Sequence, residues 1–62
     1  MTDEFVGLAA PAKRALAAAG VGSLAELSRR GEGEIAALHG MGPNALRILR
    51  EKLAARGLGF AR

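Results

Sequence analysis

Ile35-Ala36-Ala37-Leu38-His39-Gly40-Met41-Gly42-Pro43-Asn44-Ala45-Leu46 is the stretch that decides how this 62-residue chain folds. Ile35 and Leu38, three apart, mark the inner face of one helix. Two glycines then interrupt helical propensity, and Pro43 supplies a first helical position where its missing N–H costs nothing. One helix stops and another starts within a few residues.

Downstream, Leu46, Leu49 and Leu53 recur at i, i+3 and i+7, a single core-facing stripe on a helix from about Pro43 to Arg56, with Gly57 as its C-terminal cap. Upstream, Glu32 and Glu34 suit the positive end of the helix that carries Ile35 and Leu38. Ser23-Leu24-Ala25-Glu26 reads as a capping box, in which the serine oxygen takes the N3 amide and the glutamate returns to the serine N–H. Leu24 and Leu27 then face inward, and Gly31 closes that short helix. The first helix opens with Pro11 at N1, shows Leu8, Ala12, Ala15, Leu16 and Ala19 on one side, and ends at Gly20. Phe5 and Phe60 stand near opposite ends of the chain, and at least one is expected to cover the core. No segment alternates apolar and polar residues, so no strand is expected. The expectation is an all-α, compact bundle of about five short helices, one domain over 1–62 with its core at about 8–58.

The spacing apolar-x-x-apolar-x-Gly-Met-Gly-Pro-x-x-Leu is that of a helix-hairpin-helix. Its chemistry is a phosphate site. Gly40 and Gly42 can take positive φ and carry no side chain to obstruct a close approach. The amides of Gly42, Asn44 and Ala45 should then point outward at a helix start, where the macrodipole favours an anion. Contacts of this kind position a protein on DNA without reading bases. Arg14, Arg47 and Arg50 are the basic groups expected to flank it.

Composition narrows the alternatives. There are no cysteines, hence neither disulfide nor thiolate ligand. His39 is the only histidine, so a metal site or a histidine-centred dyad lacks partners, and neither catalytic residues, metal nor cofactor are expected. With no tryptophan or tyrosine, the stacking platform of a single-strand binder is missing. No apolar run approaches the ~20 residues of a membrane span. Asp3 and Glu4 stand where a secretion signal would be positive, so a soluble, cytoplasmic protein is expected. Nine basic against six acidic residues give +3 and a pI near 10.7. From His39 onward Arg47, Arg50, Lys52, Arg56 and Arg62 face the single acid Glu51, so a polyanion meets this half first.

From Leu8 to Leu58 the chain resembles the C-terminal domain of the bacterial RNA polymerase alpha subunit. The resemblance rests on Ala19–Leu27 (AGVGSLAEL), Glu34–Gly42 (EIAALHGMG) and Glu51–Leu58 (EKLAARGL). It implies a five-helix, SAM-domain-like fold that grips the minor groove of A·T-rich duplex DNA in transcription and also contacts proteins. Carried over by position, the family's main minor-groove arginine falls on Pro11 and its next contact on Arg14. The hairpin glycine is kept as Gly42, the lysine and serine after it fall on Asn44 and Ala45, and an acid one turn later falls on Ile48. The scaffold is kept while charge and hydroxyl are lost. Two functions therefore stand: a non-catalytic duplex-DNA-binding module using Arg14, Gly40, Gly42, Asn44, Ala45, Arg47 and Arg50, or a protein-interaction module. In the second, Pro11 and Ile48 would meet a protein partner or a second copy of the chain, Ile48 as part of a flat apolar patch.

Overall fold

The computed structural model describes residues Glu4–Ala61, so Asp3 and Arg62, which entered the charge arguments above, lie outside the described residues. Four helices follow one another: α1 (Ala10–Ala18), α2 (Leu24–Leu27), α3 (Glu32–Ala36) and α4 (Pro43–Ala55). The expectation was about five. Glu4–Leu8 forms turns instead, closed by the Leu8 N–H donating to Phe5 O at 3.2 Å with Gly7 at φ +96°. Among the described residues there is no strand, only an isolated bridge in which the Ala61 N–H reaches Arg30 O at 2.9 Å.

Both longer helices end in the same way. The Gly20 N–H donates to Ala17 O and the Val21 N–H to Leu16 O, with Gly20 at φ +79°. The Gly57 N–H donates to Ala54 O and the Leu58 N–H to Leu53 O, with Gly57 at φ +70°. These are Schellman caps, which glycine permits because it has no Cβ to clash in the left-handed conformation. Val21, the residue after the first cap, is buried beside the Leu16 it bonds to, turning the chain back into the core.

Helix starts are more varied. The Ser23 hydroxyl accepts from the Glu26 N–H at 3.2 Å, as expected, but the Glu26 carboxylate accepts from Gly22 N–H at 3.1 Å rather than from Ser23. Leu24 N–H, the first donor of α2, is taken by Glu4 Oε1 at 3.0 Å. Pro11 is at N2, one place later than expected, because Ala9 is the N-cap. Gly31 does not close α2. It is the extended N-cap of α3, so Leu38 falls beyond that helix.

The core takes Leu16 from α1, Leu24 and Leu27 from α2, Ile35 from α3, and Leu49 and Leu53 from α4. Phe5, Leu8, Ala12 and Val21 complete it, and Phe60 packs partly against it. Leu38 and Leu46, expected inside, are half-buried. Both flank the exposed α3–α4 connection, where too little chain lies above them to exclude water.

A candidate nucleic-acid interface at the α3–α4 connection

Three bonds bring α3 to the start of α4. The Leu38 N–H donates to Ile35 O, the Met41 N–H to Leu38 O at 3.1 Å, and the Leu46 N–H to Gly42 O at 3.0 Å. Gly40 takes φ +92°, as the third residue of the turn Leu38–Met41. Gly42 does not share that conformation. At φ −112° and ψ 173° it is an extended N-cap that any residue could adopt. Met41 is half-buried against the core.

Gly40 also sets where the connection lies. A Cβ built on it would stand 2.9 Å from Pro11 O and 3.4 Å from Pro11 Cβ. Glycine thus lets the connection sit directly on the first turn of α1. The contact creates an open groove of about 400 Å³ lined by Pro11, Arg14, Ala15, Ala18, His39 and Gly40. Arg14 and Gly40, assigned separately from the sequence, share this groove.

The beginning of α4 is bare. It has no side-chain cap and no acid in its first turn, and the Asn44 and Ala45 amides have no acceptor among the described residues. The start of α1 is likewise uncapped and without an acid, whereas α2 is capped by Ser23 and Glu4, and α3 carries Glu32 and Glu34 in its first turn. Open amides at a helix start are a general anion-binding arrangement.

The expected basic flank is only partly available. Arg47 donates to Asn44 Oδ1 at 2.7 Å and lies 3.7 Å from Glu51, while Arg50 reaches Glu32 at 3.3 Å. These pairs are more than 45% exposed, hence weak and open to competition from another anion. Arg14 differs, being exposed and with no hydrogen bond or ion pair among the described residues.

Arg30 follows Arg29 just after α2 and is not left to solvent. Its guanidinium donates to Ala19 O at 3.0 Å and to Glu34 at 2.8 Å, and its own carbonyl receives Ala61 N–H. It supplies positive charge to the C-terminal end of α1, a pairing across 11 residues with no local signature. Glu4 is a second such residue. One carboxylate oxygen caps α2 while the other pairs with Arg56 at 3.0 Å, and its side chain is only 20% exposed.

Ile48, expected on an open apolar patch, is partly buried against the core, and Pro11 is exposed with its carbonyl under Gly40. Among the described residues, no helix is long and apolar enough to cross a membrane. No protein-family model, curated protein or solved structure matches the chain.

Proposed function

We propose that this is a small, non-catalytic duplex-DNA-binding module whose α3–α4 unit acts as a helix-hairpin-helix. The Asn44 and Ala45 amides, with Gly42 beside them, receive a phosphate, and Arg14 supplies a cation from the groove that Gly40 lines. The observation that carries this reading is the bare α4 start, joined through Met41 and Gly42 to a groove that is built on Gly40 and lined by Arg14 with no acid. Arg47 and Arg50 add charge once their exposed partners are displaced. Support also comes from the resemblance to the polymerase alpha C-terminal domain, which points to a role in transcription. A protein partner at Pro11 and Ile48 has less support, since the core already occupies Ile48.

Binding through amides and one arginine should be weak and nearly indifferent to sequence, because phosphates carry no base information. Fluorescence anisotropy with labelled A·T-rich and G·C-rich duplexes at low salt tests this. The wild type should bind both, and Arg14→Ala should weaken both alike. Unchanged affinity in Arg14→Ala would remove the groove from the interface.

A further inference from the structure

The groove holds one residue that the phosphate reading does not use. His39 is exposed and lines it from the α3–α4 connection, while Arg14 lines it from α1. The Gly40–Pro11 contact fixes the two walls against each other, so their spacing does not depend on a flexible loop. Between them the lining is Pro11, Ala15, Ala18 and Gly40, which offers no side-chain hydrogen-bonding group and no acid. The first turn of α4, which follows the connection, also contains no acid. Arg14 is thus the other charged group lining the groove, and no acid there pairs with either cation, so an anion is what brings the two charges together.

We propose that His39 is a second, proton-dependent phosphate contact, so that Arg14 from α1 and His39 from the α3–α4 connection both meet the duplex backbone at one groove. The inference rests on the DNA-binding reading above and deepens it. The apolar lining suits the carbon-rich face of a deoxyribose, and the two basic side chains meet the phosphates. Protonated imidazole donates from both ring nitrogens and carries charge, whereas the neutral ring donates from one and carries none. The second contact is therefore present with the charged ring and weakened with the neutral one. Reciprocity follows: if the charged ring favours DNA, then DNA must favour the charged ring.

The test is duplex anisotropy at pH 5.5 and pH 8 over a range of salt, on the wild type, His39→Gln and Arg14→Gln. In the wild type, lowering the pH should tighten binding several-fold. It should also steepen the plot of log K against log salt by about 0.9, the value of one added phosphate contact. His39→Gln should behave at both pH values as the wild type does at pH 8. Arg14→Gln should bind more weakly yet keep the pH response. In parallel, NMR titration of the His39 ring should show its midpoint moving up when duplex is added. Equal pH responses in the wild type and His39→Gln, or a ring midpoint indifferent to duplex, would overturn this inference while leaving DNA binding intact. Absence of binding by every protein at pH 5.5 and low salt would overturn the DNA-binding reading as well.

Discussion

Gly40 and Gly42 are two positions apart in sequence and answer to different physics. Gly40 needs its positive φ and its missing Cβ together, because a methyl would meet the Pro11 carbonyl at 2.9 Å and backbone cannot easily retreat. Gly40→Ala should cost at least about 1 kcal/mol from the left-handed conformation alone, before any clash. Gly42 has ordinary extended backbone and open space where a Cβ would stand. An aspartate there can cap the bare α4 amides itself. Gly42→Asp should raise stability by a few tenths to about 1 kcal/mol and at the same time abolish duplex binding, because the carboxylate takes the phosphate's place. Thermal melts of both variants beside anisotropy separate folding from binding. A Gly42→Asp protein that is more stable and still binds would show that the α4 amides are not the site. The sequence marked both glycines but could not tell their roles apart. That distinction depends on Pro11, 29 positions away, being underneath one of them.

At the scale of elements, the helix ends were the most legible part. Both Schellman glycines, the Ser23 cap and the Pro43 start can be read from neighbours within four residues, because each is a local hydrogen-bond requirement. The two shortest helices were less so. A four-residue α2 and a five-residue α3 cannot stand by propensity, and they are held by groups from elsewhere in the chain. Glu4 caps α2 from 20 residues away while pairing with the C-cap residue of α4, and Arg30 closes α1. Acids near the N-terminus and a double arginine carry no local signal of such duties. Glu4→Ala should therefore cost about 1–2 kcal/mol, the worth of a lost N-cap. Arg56→Ala should cost less than about 1, as its side chain is mostly in water. For a domain of this size the first should lower the melting temperature by roughly 4–8 °C or more. Equal melting of Glu4→Ala and the wild type would mean the contact contributes nothing in solution.

For the whole molecule, one core has to do everything. Domains of about 60 residues bury only about 60% of their unfolded surface, so single core changes weigh heavily. Leu49, fully buried on α4, is the clearest case: Leu49→Ala should cost about 2–5 kcal/mol, enough to unfold much of the population, with the loss of helical circular dichroism as the readout. Periodicity made Leu49 and Leu53 legible as core. It misplaced Leu38 and Leu46, because a stripe says which way a side chain points and not how much chain covers it. Ile48 faces away from the stripe and still finds partial cover. Charge has a whole-molecule lesson too. The basic excess of the C-terminal half is visible in the sequence, but in the structure Arg47, Arg50 and Arg56 are paired with acids, and the uncommitted Arg14 lies on α1. The long dimension of 29 Å spans roughly eight base steps at about 3.4 Å each, and along it the α4 amides, Arg14 and the displaced Arg47 and Arg50 can engage only a few of the phosphates. Titrating a labelled duplex of that length at several salt concentrations tests the central claim most directly. The account predicts weak binding, much the same for any sequence, with log K falling linearly against log salt at about −0.9 for each of a few phosphates. A protein that leaves the duplex free at low salt and high concentration would contradict it.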